Sequence, residues 1–327
     1  MSIQVTIIGL GQVGASVGLA LAKHHPTLRR VGHDKDVQTA KAAEKKGAVD
    51  EVKFNLPAAV RQAKVVLLSI PLGEVRSTLE AIAPDLPEGA VVVDTSPAKK
   101  AVAAWAAELL PAGRYYIGLT PALNAHYLHR IEFGLQAAQA DLFENSVVML
   151  DAPPHTPEEA VQLAADFVRL WGATPIYGDL EETDGLMSKA HLLPQLTAAA
   201  LLNALVDQPG WQDARKLAGR PFSTLTAALA YQDEIKSLTE AALLNRENVA
   251  RALDLLMASL QGLRNAVADG NEQAVFERLE LALDGRTRWL TERTQADWSE
   301  VEKPDLSAIP GLWERLLGSR ENLKRRG

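Results

Sequence analysis

Continuous apolar runs of strand length alternate with helix-spaced stretches from the start of the chain to about residue 180. Gln4-Val5-Thr6-Ile7-Ile8 opens the series, an Ala/Leu/Val helix pattern follows, and Val31-Gly32-His33-Asp34 reads as the end of a second strand. Residues 36–46 have helical spacing and stop at Gly47, a residue that ends helices because it tolerates the left-handed conformation. Val65-Val66-Leu67-Leu68-Ser69-Ile70 is apolar almost throughout, as a parallel strand covered on both faces requires, and it halts at Pro71 before a helix-compatible stretch from Gly73. Ala90-Val91-Val92-Val93-Asp94 repeats the pattern, with a helix over 98–109. Tyr115-Tyr116-Ile117-Gly118 and Val147-Val148-Met149-Leu150 predict two more strands joined by a long loop. An amphipathic helix over 157–171, with Thr156 as N-cap and Glu158 and Glu159 in its first turn, leads to a last strand at Thr174-Pro175-Ile176-Tyr177. Such alternation predicts a doubly wound, mostly parallel α/β sheet.

From about residue 181 the strand runs vanish and alanine- and leucine-rich helical patterns take over. Val249, Leu253, Leu256, Leu260, Leu263 and Val267 are spaced 4, 3, 4, 3, 4, one apolar seam along one helix. Asp269-Gly270 ends that helix, and another is expected over 272–291. The predicted organisation is a sheet domain over 1–180, an all-α domain over 181–301, and a linker with a short amphipathic piece around Leu312-Trp313-Leu316-Leu317 over 302–327. Helices this apolar commonly pack against symmetry mates, which predicts a homodimer through the helical half.

Composition narrows the function. With 47% hydrophobic and 23% charged residues the chain is of ordinary globular type. A net charge of -7 leaves no general basic surface to displace counterions from a nucleic acid, and the basic cluster Lys324-Arg325-Arg326 reads as a solvated tail. The absence of cysteine excludes disulfides, thiolate catalysis and cysteine-ligated metals. The 7 histidines lack metal-ligand spacing, so no metal is expected. No signal peptide is recognised, and the longest apolar stretch, residues 196–206, is too short to span a bilayer. A cytoplasmic protein without a membrane or nucleic-acid partner is expected.

The chemistry-bearing motif lies between the first strand and the first helix. Gly9, Gly11 and Gly14 form G-x-G-x-x-G, in Gly9-Leu10-Gly11-Gln12-Val13-Gly14. The first glycine permits the turn, the second lets a pyrophosphate approach the backbone, and the third lets helix pack on strand, with the anion at the positive helix N-terminus. Asp34 falls 20 residues after Gly14, where a carboxylate accepts hydrogen bonds from the adenosine ribose hydroxyls. The first domain is therefore expected to be a Rossmann-type dinucleotide-binding domain. Its cofactor contacts are expected at these residues and at Ser69, Ile70 and Pro71. Asp34 favours NAD, since its charge repels a 2′-phosphate, while Lys35 beside it leaves NADP possible.

Several stretches together resemble the prephenate/arogenate dehydrogenase family over nearly the whole chain. They are the glycine fingerprint with Ala15-Ser16, Ala138-Gln139-Ala140-Asp141-Leu142-Phe143-Glu144-Asn145-Ser146-Val147-Val148, Leu193-Pro194-Gln195-Leu196 with the apolar residues after it, and Asn245-Arg246-Glu247 before the long helix. The resemblance implies a nucleotide-binding domain followed by an all-α dimerisation domain, with substrate in the cleft between them. It also implies NAD- or NADP-dependent oxidation of a ring hydroxyl of prephenate or arogenate, with decarboxylation, on the way to tyrosine. Such a reaction needs a base of near-neutral pKa at the hydroxyl, best a histidine, and an Arg or Lys for the substrate carboxylates.

The substrate half of the pattern departs from the family. The family's catalytic histidine, in His-Pro-Met-Ala-Gly, falls on Thr120 in Leu119-Thr120-Pro121. A serine of its Ser-x-Lys turn falls on Pro97, although Lys99 is kept and Ser96 sits one place earlier. Its carboxylate-pairing arginine falls near Ser223, and its Ser-His-Leu-Pro segment is matched by Ala190-His191-Leu192-Leu193-Pro194, with an extra leucine. The candidates for catalysis are accordingly His191, Lys99, Thr120 and His126. Those for binding a small carboxylated substrate are Ser96, Lys99, Thr120, Asn124, Lys189 and His191. Each has a plainer reading: Lys99 as a solvated surface lysine, Thr120 and Asn124 as ordinary loop residues, His126 and His129 as exposed loop histidines, and His191 as a hydrogen-bonded core residue. Glu182 and Asp184 read as first-turn charges, and His155 has no evident partner.

Overall fold

The computed structural model describes residues 3–24, 28–130, 132–231 and 235–296. The expected linker and amphipathic piece over 302–327 lie outside the described residues. Contacts divide the chain into two compact units, one running to Asp184 and including the stretch that ends at Ala241, the other comprising 185–230 and the helices from Ala242 onward.

The first unit holds one sheet of 8 strands, β1 (Gln4–Ile8), β2 (Arg29–His33), β3 (Glu51–Val52), β4 (Ala63–Leu68), β5 (Val91–Asp94), β6 (Tyr115–Pro121), β7 (Val147–Asp151) and β8 (Thr174–Gly178). Their order is β3-β2-β1-β4-β5-β6-β7-β8, the doubly wound arrangement with its switch at β1 and β4. All pairs are parallel except β6 with β7. Every residue of β1 and β5 is buried, as expected of central strands covered on both faces. The two-residue β3 is too short to leave an apolar run and is not visible in the sequence pattern.

Six helices cover this sheet: α1 (Gln12–His24), α2 (Val37–Lys45), α3 (Leu56–Val60), α4 (Leu72–Ile82), α5 (Lys99–Leu109) and α6 (Glu158–Arg169). The Asp36 side chain caps α2 by accepting from the Gln38 and Thr39 amides. Thr156 does not cap α6; Pro157 takes the N-cap position, and the Thr156 hydroxyl donates instead to the Pro153 carbonyl. The inner face of α6 buries Ala160, Leu163, Ala164, Phe167 and Val168, and its end packs Trp171 against Phe143 and Phe167. The β6–β7 connection folds back on α1 and α2, pinned by the Gln139 amide on the Ser16 hydroxyl and by Lys46 Nζ on the Leu135 and Ala138 carbonyls.

Beyond β8 come α7 (Leu180–Met187), a π turn (Ser188–Leu192), α8 (Leu193–Leu205), α9 (Trp211–Leu217), α10 (Arg220–Thr226), α11 (Ile235–Leu244), α12 (Arg246–Ala268) and α13 (Glu272–Gln295). The expected seam does lie on one helix, α12, but it is covered unevenly: Val249 is buried, Leu253, Leu256 and Leu263 are half-buried, and Leu260 and Val267 are more than half exposed. Among the described residues no helix is long and apolar enough to cross a membrane.

Candidate functional site

The glycine turn sits at the carboxyl edge of the parallel strands. Gly9 has φ +90°, and a Cβ there would lie 2.1 Å from the Ser69 carbonyl. A Cβ on Gly14 would fall 2.0 Å from the Gly9 carbonyl, so this glycine allows α1 to pack against the turn. At Gly11 an added Cβ meets nothing within 4 Å. The space it leaves lies beside the first-turn amides of α1, which have no intrahelical acceptors and carry the positive end of the helix dipole. That is the fit a pyrophosphate requires.

The adjoining cleft, about 470 Å³, is lined by Gly9, Gly11, Asp34, Ser69, Ile70 and Pro71 among others. Asp34 is held rigidly there: its Oδ2 accepts from the Leu10 amide at 2.8 Å and its Oδ1 from the Asp36 amide at 2.9 Å. Each carboxylate oxygen keeps a lone pair for a ribose hydroxyl. Leu10 acts through this contact, because its side chain is in the core and its amide is committed to Asp34. Beside the cleft Lys35 forms an ion pair with Glu74. Gly134 and Leu135, from the β6–β7 connection, complete the rim.

A second, buried group of polar side chains lies in the same unit. In the row Ile8, Leu68, Asp94, Gly118, Asp151, Gly178 each residue faces the next across β1, β4, β5, β6, β7 and β8. Gly118 separates two aspartates, and a Cβ there would lie 2.7 Å from Cδ of Lys99, whose side chain fills the gap. Lys99 is 0% exposed and donates from Nζ to the Leu119 carbonyl at 2.8 Å, the Asp94 carbonyl at 3.0 Å and Asp94 Oδ1 at 3.4 Å. Asp94 also accepts from the Tyr116 hydroxyl, the Ser96 amide and the Ser96 hydroxyl. Burial and the Asp94 charge hold the Tyr116 hydroxyl well above its usual pKa.

Asp184 accepts from the Lys99 amide at 2.6 Å and the Lys100 amide at 3.2 Å. It therefore caps α5, whose own N-cap, Ala98, has no side chain able to do so. Burial pushes the Asp184 carboxyl up, against these two amides. Asp151, fully buried, accepts from the Thr183 hydroxyl at 2.7 Å through Oδ1, while its Oδ2 has no partner among the described residues. Burial raises its pKa to about 6.

Several candidates change meaning against this geometry. Lys99 is no surface lysine and is not placed to meet a substrate, since its ammonium is consumed by three buried oxygens. Ser96 is likewise buried and tied to Asp94. Asp184 is a cap for another helix, not a first-turn charge of its own. Thr120 belongs to β6, which runs on to Pro121, and not to the following loop; its hydroxyl is buried without a partner among the described residues. Asn124 caps a short 3₁₀ turn by accepting from the His126 amide, and its own amide group donates to the Asp141 carbonyl. His126 and His129 are exposed. His155 is exposed too, with φ +67°.

His191 and Lys189 belong to the second unit, on the π turn. A π turn holds one residue more than an α turn, and it occurs where the sequence carries its extra leucine. Burial lowers the His191 pKa, while Lys189 is exposed. Asp94, Tyr116, Asp151 and Thr183 were not singled out from the sequence. The available signal was that Asp94 and Asp151 each follow directly on an apolar strand run, a costly place for a carboxylate without a partner. Among the described residues no group of three His, Cys, Asp or Glu side chains is placed to hold a metal.

The family model for the prephenate dehydrogenase nucleotide-binding domain matches residues 17–177. Prephenate dehydrogenase of Bacillus subtilis is 28% identical over 200 residues, 61% of this chain and 53% of that protein. Cyclohexadienyl dehydrogenase of Zymomonas mobilis is 26% identical over 276 residues, 84% of this chain and 91% of that protein. The match thus spans about half the length of the Bacillus relative and most of the Zymomonas one. Prephenate dehydrogenase from A. aeolicus, solved in complex with hydroxyphenyl propionate and NAD+, shares the fold with a TM-score of 0.76 at 22% identity, covering 88% of this chain and 98% of that one. The nucleotide-binding signature and these relatives together support a likeness to the prephenate/arogenate dehydrogenase family.

Proposed function

We propose that the chain is an NAD-dependent dehydrogenase that oxidises a small carboxylated hydroxy substrate of the prephenate or arogenate type, in tyrosine biosynthesis. The observation that carries the cofactor half is the open space at Gly11 beside the fixed Asp34 carboxylate. Gly11 and the first turn of α1 would hold the pyrophosphate, Asp34 the adenosine ribose, and Ser69, Ile70 and Pro71 the strand-end wall toward the nicotinamide. When bound, the nicotinamide supplies the hydride acceptor. The chain's own part is to fix that ring, exclude water and take the hydroxyl proton. The substrate class is supported by relatives named as prephenate and cyclohexadienyl dehydrogenases.

The test is the absorbance rise at the reduced-nicotinamide band when protein and NAD are offered prephenate, arogenate and a panel of hydroxy acids. A second reading rests on Thr120 standing where the family has its base. It takes the chain as a divergent member with another substrate, such as a hydroxy acid or cyclic imine, or as a non-catalytic nucleotide-binding dimer. Turnover of the panel but not of prephenate or arogenate favours the first of these, and tight NAD binding without turnover of anything favours the second.

The proposed assembly is a cytoplasmic homodimer through the helical half. Leu255 and Met257 of α12 and Phe276, Leu279, Leu281 and Leu283 of α13 are each more than half exposed, a density of apolar surface that monomers rarely carry. A hollow of about 960 Å³ where α12 meets α13 is lined by Val267, Val275, Phe276 and Leu279. A monomeric mass by light scattering refutes this assembly.

A further inference from the structure

On one face of β6, Tyr116, Gly118 and Thr120 follow one another at the two-residue period of a strand. Asp151 stands opposite Gly118 and Met149 opposite Thr120. Polar atoms on this face are satisfied with two exceptions. Tyr116 donates to Asp94, Lys99 to its three oxygens, and Thr183 to Asp151 Oδ1. The Thr183 hydroxyl also lies 2.8 Å from Met149 Sδ, so the Met149 and Asp151 side chains converge on one point. The exceptions are Thr120 Oγ1 and Asp151 Oδ2, both buried and both without a partner among the described residues.

The two orphans are diagonal neighbours on adjacent antiparallel strands. Such residues lie roughly 7–8 Å apart, somewhat less between Cβ atoms, within reach of a rotamer change or one bridging water. Thr120 is also two residues beyond Gly118, which shares a row with Ile8, the last residue before the glycine turn. It therefore stands at the carboxyl rim of the sheet, the level at which ligands of doubly wound folds bind. A threonine cannot serve as the base itself, but its hydroxyl can accept one proton while surrendering another.

We propose that Thr120 and Asp151 form a proton relay, Thr120 facing the substrate hydroxyl and Asp151 taking the proton behind it. This rests on the dehydrogenase reading above. As the hydride leaves the carbinol carbon, the substrate O–H bond breaks and its electron pair closes the carbonyl. The proton passes to Thr120 Oγ1, whose own proton moves, after a rotamer change or through one bridging water, to Asp151 Oδ2 and leaves a neutral carboxylic acid. After product departs the proton returns to solvent by the same hydroxyl. Asp151 never touches substrate and is a positioning residue for Thr120. The groups that face it are Thr183 and Asp184 of α7, Asp179 just before α7, Lys99 of α5 and Tyr116 of β6. Burial raises its carboxyl; Thr183 and Lys99 oppose this, and Asp184 and Asp179 add to it, for a value of about 6 that suits an acceptor working near neutrality.

The first arm of the test needs no substrate. Infrared difference spectra between pH 8 and pH 5 are recorded on the wild type, Asp151→Asn and Thr120→Val. The wild type should show a protonated-carboxyl band with a midpoint near 6 that Asp151→Asn removes, and Thr120→Val should shift both its frequency and its midpoint. In the second arm, with the substrate the wild type oxidises, Thr120→Val should lower kcat by about 10²–10⁴-fold at unchanged NAD affinity. Thr120→Ser should recover most of that loss, and Asp151→Asn should remove the acidic limb of the pH profile. A band indifferent to Thr120→Val, or no Asp151 band at all, overturns the relay even in an active enzyme. If the wild type turns over nothing while the band responds as expected, the dehydrogenase reading falls and the catalytic role falls with it.

Discussion

Lys99 offers a direct contrast between a structural and a substrate-binding role. Its side chain is fully buried against Gly118, and its ammonium serves two backbone carbonyls and the Asp94 carboxylate. Lys99→Met keeps most of the volume, so little cavity forms, but it removes the only cation among these contacts. Asp94 retains Tyr116 and Ser96 as donors, whereas the Leu119 carbonyl loses its Lys99 partner. Breaking a buried ion pair from one side costs about 3–5 kcal/mol, and the partners left to Asp94 place this case near the lower end. At roughly 2–4 °C per kcal/mol for a unit of this size, the thermal midpoint of the first unit should fall by about 6–12 °C. Unfolding followed by circular dichroism, with the two units resolved as separate transitions, measures it. Lys99→Met with Asp94→Asn should recover part of the loss, because the uncompensated charge goes too. A shift worth less than about 1 kcal/mol, together with a raised KM for a carboxylated substrate, would refute the structural role and return Lys99 to the substrate.

Further outcomes follow from the same geometry. Gly11→Val should leave the first unit folded, since its Cβ enters open space, yet abolish NAD binding by calorimetry, while Gly14→Ala should destabilise the unit because its Cβ meets the Gly9 carbonyl at 2.0 Å. Asp34→Ser should weaken NAD binding and improve the ratio of NADP to NAD affinity; tight NADP binding without NAD binding in the wild type would refute the preference argued from Asp34. Asp151 has a folded pKa of about 6 against an ordinary 3.8, so the folded state binds the extra proton. Its ionisation then costs stability as pH rises through that window, by roughly 3 kcal/mol for two pKa units. Asp151→Asn should therefore be more stable than the wild type at pH 8 and lose that advantage by pH 4, as read by denaturant midpoints.

The sequence alone determined what local physics controls. Gly9, Gly11, Gly14 and Asp34 announce a dinucleotide turn because positive φ, close approach and a strand-end carboxylate are requirements within one βαβ unit. The apolar runs likewise placed the long strands, since a parallel strand covered on both sides has no polar face to hide. What no local pattern carries is which side chain ends beside which. Lys99 looks like an exposed helix-opening lysine until β6 sets Gly118 beneath it and β5 brings Asp94 to its ammonium. Asp184 looks like a first-turn charge until the return of the chain after β8 lays it on the N-terminus of α5, 85 residues earlier in sequence. Thr120 and Asp151 become neighbours only because β7 runs antiparallel to β6, a register that the spacing of apolar residues leaves open. The cofactor end of the site is thus legible from composition and spacing within one segment. The surroundings of Thr120 and Asp151 are decided by burial and cross-strand pairing, which exist only once the tertiary fold has formed.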